Sequence, residues 1–194
     1  MPRRQKPLKQ GLQGQVRIIG GEWRGRKLPV PEGEGLRPTS DRVRETLFNW
    51  LQFSLAGRRC LDAFTGSGAL AIEALSRGAA QVTAIERDPK VTKQLRELLT
   101  PLAGKRLQLL NADVLQWLEG EPEAPFDLVF LDPPFHQGLL EPTCQLLEQR
   151  GWLADNALIY IEQEKQGEPI TLPPNWSLQK DKQAGEVRFG LYAR

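Results

Sequence analysis

Phe126-Asp127-Leu128-Val129-Phe130-Leu131-Asp132-Pro133-Pro134-Phe135 is an apolar run that ends abruptly in an acid, two prolines and an aromatic ring. Its first six residues have strand length and carry Val and Phe, which points to a strand buried on both faces rather than a helix. Neither proline can donate to a sheet ladder, and each pushes the residue before it toward extended geometry. Residues 132–135 are therefore expected to form a stiff loop at the strand's carboxyl end. In open α/β sheets ligands sit at that edge. The loop would present a carboxylate, unclaimed backbone carbonyls and a ring, parts suited to holding a flat base that bears an amine. Taken alone, the fragment also fits a plain Asp-Pro turn with Phe135 in the core, so its surroundings decide.

Those surroundings alternate strands and helices, the signature of a doubly wound sheet. Residues 59–64 read as a strand, Thr65-Gly66-Ser67-Gly68 as a turn, and residues 69–77 as a helix stopped by Gly78. Residues 81–86 form the next strand, ending in Glu86, and Pro89 opens a helix running to about Leu99. Strand 107–110, a short helix at 114–118, the quoted strand, helix 139–150, strand 157–163 and a closing hairpin of 176–182 with 186–192 complete the pattern. The fold class expected is α/β: a mostly parallel seven-stranded sheet with helices on both faces and an antiparallel C-terminal hairpin.

Ahead of the sheet the composition shifts. Residues 1–44 hold 11 Lys/Arg against four Asp/Glu, net +7, and the remainder holds 15 against 20, net −5. Residues 1–15, rich in Lys, Arg, Gln, Pro and Gly, read as a disordered basic arm. Residues 16–19 and 23–30 flank Gly20-Gly21-Glu22 and read as a β-hairpin carrying Arg17, Arg24, Arg26 and Lys27 beside Trp23. Cations interleaved with an aromatic suit phosphates and unstacked bases, although a small sheet packing Trp23 on the main domain is also consistent. Thr39, Ser40 or Asp41 can cap a helix with Val43, Leu47, Trp50 and Leu51 on one face and Arg42, Glu45 and Asn49 on another. Three segments follow: 1–15 an arm, 16–55 a hairpin and helix suited to nucleic-acid contact and to lidding a pocket, and 56–194 the doubly wound domain.

With 194 residues the chain suits one sizeable core. No apolar run approaches membrane-spanning length, and the basic start is not followed by a hydrophobic signal core, so a cytoplasmic protein away from membranes is expected. Cys60 and Cys144 lie far apart without metal-ligand spacing, and with a single histidine, His136, no metal is expected.

Three further loops share the sheet edge of residues 132–135. Gly66-Ser67-Gly68 lets the backbone approach a ligand at a helix N-terminus. Glu86 is placed to accept from a ribose diol, and Asp113 from an adenine amine. Together they describe an adenosine pocket. The looser dinucleotide fingerprint, Gly66-x-Gly68-x-x-Ala71 with Glu86, would hold a nicotinamide cofactor as well. Hydride transfer to a carbonyl needs a placed acid, however, and Tyr160, Tyr192 and His136 are poor candidates. S-adenosyl-L-methionine beside the Asp-Pro-Pro-Phe loop gives every part a task.

The chain resembles class I S-adenosylmethionine-dependent methyltransferases of the amino-methylating branch, and specifically the RsmD family of bacterial 16S rRNA guanine-N2 methyltransferases. The likeness is carried by Arg17-Ile18-Ile19-Gly20-Gly21-Glu22-Trp23-Arg24-Gly25-Arg26-Lys27-Leu28, by Leu36-Arg37-Pro38-Thr39 through Asn49-Trp50-Leu51, by Asp62-Ala63-Phe64-Thr65-Gly66-Ser67-Gly68-Ala69-Leu70, and by Asp132-Pro133-Pro134-Phe135. Thr65 departs from the small Ala expected there. The resemblance implies a Rossmann-like fold and methylation of the exocyclic N2 of one guanine in 16S rRNA within an assembling small subunit, by a monomer. It implies Asp132, Pro133, Pro134 and Phe135 as catalytic residues, and Asp62, Phe64 and Thr39 beside Gly66, Ser67, Gly68, Glu86 and Asp113 for the cofactor. Arg37 and Arg42 join Arg17, Trp23, Arg24, Arg26 and Lys27 for RNA. His136 is given no role. Amino methylation of DNA adenine or another RNA base, and a non-catalytic RNA-binding assembly factor, are the remaining alternatives.

Overall fold

The computed structural model describes residues 12–194, so the expected arm lies outside the described residues over 1–11. Two sheets are present. A two-stranded antiparallel sheet pairs β1 (Leu12–Arg17) with β2 (Lys27–Pro31). The large sheet has seven strands in the order β5-β4-β3-β6-β7-β9-β8. Its strands are β3 (Arg59–Asp62), β4 (Gln81–Glu86), β5 (Leu107–Asn111), β6 (Phe126–Leu131), β7 (Leu153–Glu164), β8 (Ser177–Ala184) and β9 (Val187–Ala193). The first five spatial neighbours run parallel, and β9 and β8 close the sheet antiparallel. The expected α/β class and closing hairpin are therefore present. Among the described residues no helix is long and apolar enough to cross a membrane.

Side-chain alternation splits the core in two. Leu128 and Phe130 of β6 face the cluster covered by α1 (Asp41–Leu51), α2 (Ala69–Ser76) and α3 (Pro89–Ala103). Val129 and Leu131 face the cluster covered by α4 (Val114–Leu118) and α5 (Leu140–Gln149). Ser40 caps α1, its Oγ accepting from Val43 N at 3.2 Å, which selects one of the three expected caps. Phe48 of α1 then brings its ring within 5.9 Å of the Phe130 ring. Cys60 and Cys144 are buried free thiols, pushed up to about 12 by that burial.

The N-terminal hairpin differs from its expected form. Strand pairing begins at Leu12, inside the expected arm, and residues 22–25 form a turn that removes Trp23 and Arg24 from any strand. Gly20 and Gly21 are used for close approach rather than as the hairpin turn. A Cβ on Gly21 would lie 1.9 Å from the Ser76 carbonyl oxygen, and Glu22 N donates to that oxygen at 2.7 Å. Elsewhere α3 continues to Ala103, carrying Pro101 in its last turn, and β7 begins at Leu153 because a register shift and the left-handed Asn156 carry the strand past its polar stretch.

Residues 16–55 do not form a separate core. Ile18, Trp23, Leu47 and Leu55 share one apolar cluster with Leu70, Leu128 and Phe189. A buried charged node reinforces this. Glu73, in the middle of α2, accepts from Ile19 N at 2.9 Å, Gly20 N at 2.9 Å, Arg77 Nε at 2.7 Å and Arg44 Nη1 at 3.4 Å. Arg44 of α1 is itself fully buried and donates to the Arg17 carbonyl oxygen at 2.9 Å.

Candidate active site

β3 and β6 are direct neighbours, although β4 and β5 lie between them in sequence, so the strand order reverses at this pair. Such a switch point opens a crevice at the carboxyl edge, and the loops after β3 and β6 leave side by side. Gly66 and Gly68 both have left-handed backbones, φ 54° and 79°, and Gly68 caps α2. Glu86, at the end of β4, accepts from Gly66 N at 3.0 Å with Oε2 and from Asp88 N at 2.9 Å with Oε1. Burial raises its carboxyl, and those two N–H groups oppose the shift. Asp113, after β5, is exposed and caps α4 through Gln116 N at 3.1 Å. Phe64 is half-buried beside the turn, and Ser67 Oγ accepts from Ala69 N at 3.4 Å. The Thr65 hydroxyl donates to the Asp62 carbonyl oxygen at 3.1 Å, so its difference from alanine is absorbed within the turn.

Asp62 ends β3 in register with Phe130 and is 1% exposed. Neither carboxylate oxygen has a hydrogen-bond partner; the N–H groups of Phe64 and Ala71 favour its charge without closing a bond. Burial, then the charge of Asp132, push this carboxyl up to about 8. A buried acid left open in this way suits a cationic ligand group.

Asp132 follows β6 on the same face as Phe130. Its Oδ2 accepts from Thr39 Oγ1 at 3.1 Å, so Thr39, expected to serve the cofactor, stands on the carboxylate of the loop after β6. Burial pushes Asp132 up to about 6, and the Thr39 hydroxyl opposes the rise. Pro133 is buried, Pro134 is exposed, and Phe135 is 42% exposed at the loop tip. His136 has a left-handed backbone, φ 59°, and sets Nε2 2.9 Å from Glu164 Oε1. That pairing ties the loop to the end of β7, a local role the sequence did not suggest.

Two residues at this edge were not anticipated. The β6–β7 register pairs Phe130 with Tyr160 and Leu131 with Ile161, so the next step sets Asp132 beside Glu162. Glu162 is buried, its Oε2 accepting from Tyr160 Oη at 2.9 Å. Burial and the Asp132 charge raise it, so the two acids resist ionising together. An acid at an alternate position on the buried face of Tyr160-Ile161-Glu162 was the available signal.

Arg17, Arg24, Arg26, Lys27, Arg37 and Arg42 are all exposed. Trp23 is not: it is 5% exposed, donates through its backbone N–H to Ser76 Oγ at 3.0 Å, and lies under the Arg106 guanidinium, 5.1 Å from the ring centroid. Its ring is part of the core, so the expected base-stacking role is corrected. Among the described residues no group of three or more His, Cys, Asp or Glu is arranged to hold a metal ion.

The family model described as conserved hypothetical protein 95 matches residues 16–193. Over 181 residues, 93% of this chain and 91% of the relative, the chain is 54% identical to ribosomal RNA small subunit methyltransferase D of Escherichia coli strain K12. It is 50% identical to the protein of that name from Haemophilus influenzae over 182 residues, 92% of this chain and 94% of the relative. The solved structure of the Escherichia coli yhhF protein matches with a TM-score of 0.85 and 53% identity, covering 93% of this chain and 98% of that one.

Proposed function

The chain belongs to the RsmD family, and from that premise we propose that it transfers a methyl group from S-adenosyl-L-methionine to the exocyclic N2 of one guanine in 16S rRNA. The observation that carries the reading is the β3–β6 pairing, which sets the glycine turn and the Asp132 loop on adjacent strands of one crevice. Turn and loop on opposite edges would have left no route between donor and acceptor.

The residues present fit the cofactor. Asp62, with its open carboxylate, would hold the ammonium, Glu86 through its remaining lone pairs the ribose, and exposed Asp113 the adenine amine. Gly66, Ser67, Gly68 and Phe64 line the approach. When bound, the cofactor supplies a methyl group made electrophilic by a sulfonium.

The acceptor side follows from Asp132. A guanine amine is a poor nucleophile because its lone pair is delocalised into the ring. With Oδ2 held by Thr39, Asp132 has Oδ1 to accept one amine N–H, and the Pro133 carbonyl oxygen accepts the other. These bonds aim the lone pair and favour positive charge on nitrogen as the new N–C bond forms. The sulfonium would keep the S–C electron pair, and the extra proton would leave nitrogen for Asp132 or water. Phe135 stacks on the flipped base, worth ~1–3 kcal/mol for a base–aromatic stack.

Arg17, Arg24, Arg26, Lys27, Arg37 and Arg42 take the RNA phosphates. The proposal includes action in the cytoplasm, by a monomer, on an assembling small subunit. The test is incubation of the protein and labelled cofactor with small subunits from cells lacking it, followed by mass mapping of nucleosides. N2-methylguanosine at one 16S position is expected; label at another atom, or none, refutes the proposal.

A further inference from the structure

Thr39 lies between β2 and α1, outside the large sheet, yet its hydroxyl reaches Asp132 across 93 positions of sequence. We propose that Thr39 is a positioning residue, whose hydroxyl fixes the rotation of the Asp132 carboxylate and keeps it ionised so that Oδ1 faces the amine. The proposal rests on Asp132 being the carboxylate that grips the substrate.

The setting of Asp132 gives one hydroxyl this leverage. Asp62 faces it from β3, Glu162 and Tyr160 from β7, and Glu86 stands beyond Asp62 on β4. All are acids or a neutral phenol. Among the described residues no Arg, Lys or His forms an ion pair with Asp132, and the Thr39 hydroxyl is the one side-chain donor to it. Burial therefore opposes the charged form, no cation offsets it, and a single donated hydrogen bond supports it. That bond also occupies Oδ2, so the carboxylate cannot present either oxygen at random.

The segment carrying Thr39 touches the cofactor side as well. A Cβ on Gly66 would come within 3.1 Å of Leu36 Cδ2, so Leu36 lies against the glycine turn three residues before Thr39 meets the carboxylate. Exposed Arg37 lies between them. One short stretch thus touches both halves of the crevice and offers a cation to the substrate.

The test compares Thr39→Val, which keeps shape and removes the donor, with Thr39→Ser, which keeps the donor. The Asp132 carboxyl, labelled with 13C and assigned with Asp132→Asn, is titrated by NMR, independently of turnover. In Thr39→Val its midpoint should rise by about one pH unit, and kcat/KM on small subunits should fall about fivefold near pH 6 but hardly at all near pH 8. Thr39→Ser should overlay the wild type, and affinity for S-adenosylhomocysteine by calorimetry should be unchanged in both. Equal midpoints in Thr39→Val and the wild type overturn the proposal. Loss of S-adenosylhomocysteine affinity with an unmoved titration overturns it too, and returns Thr39 to the cofactor. A wild type that shows the titration but methylates no RNA refutes the methyltransfer reading and leaves the control of Asp132 ionisation standing.

Discussion

Glu73→Ala should be the most damaging single change outside the crevice. Glu73 lies in a helix buried all round, and its two oxygens accept from two backbone N–H groups of the extension and from Arg44 and Arg77. Alanine leaves the buried guanidinium of Arg44 with the exposed Asp41 as its one carboxylate, and Ile19 N and Gly20 N without their acceptor. Each group left without its acceptor, the Arg44 guanidinium and the two N–H groups, costs about 1–3 kcal/mol. Since 1 kcal/mol moves the melting point of a chain this size by about 2–4 °C, the fall should be on the order of 10 °C or more. Arg44→Met should cost less, because Glu73 keeps Arg77 and both N–H groups. Thermal unfolding followed by circular dichroism reads both. A Glu73→Ala melting point within about 2 °C of the wild type, or a larger fall for Arg44→Met, would mean that this carboxylate does not hold the extension in place.

Asp132→Asn should abolish methyl transfer in a tritium assay while S-adenosylhomocysteine still binds by calorimetry; retained turnover removes the carboxylate from the mechanism. Phe135→Ala should raise KM for RNA more than Kd for cofactor, by about 10-fold once the ring no longer stacks on the base. Asp62 carries a folded pKa raised from 3.8 to about 8, so the native state binds the extra proton between those values and ligand-free stability falls as pH rises through that window. Asp62→Asn should flatten that fall in melting temperature and weaken cofactor binding; an unchanged pH slope would sink the assignment. Neutralising Arg17, Arg24, Arg26 and Lys27 together should reduce the salt dependence of RNA binding by about 0.7 in log–log slope for each phosphate that is no longer neutralised, and an unchanged slope would make the hairpin purely structural.

The sheet was legible because its central strands are apolar on both faces and each ends in chemistry: Asp62, Glu86 and Asp132 all close a run of buried residues. The site was legible to the same extent, since a parallel strand's carboxyl end follows from the order of elements. The hairpin was less so. Gly20-Gly21 has the composition of a turn, and nothing local shows that Gly21 is needed because a helix carbonyl lies against it. Trp23 was open to two readings for a related reason, because cations near an aromatic ring look alike whether the ring is free or covered by Arg106. Thr39 and Glu162 both meet Asp132 from other elements, Thr39 from 93 positions away, and no periodicity records such a meeting.

The last strand of the large sheet is not its edge. β9 lies between β7 and β8, so β8 has no neighbour until residues 187–193 have been made, and Trp50, early in the chain, waits for Phe189 to reach its ring 5.5 Å away. As the chain leaves the ribosome, the Trp50 face of α1 stays unmatched until β9 has been made, although Phe48 finds Phe130 earlier. Loss of residues 187–193 would therefore strand β8 and uncover the Trp50 ring together, so one short strand serves two distant parts of the fold.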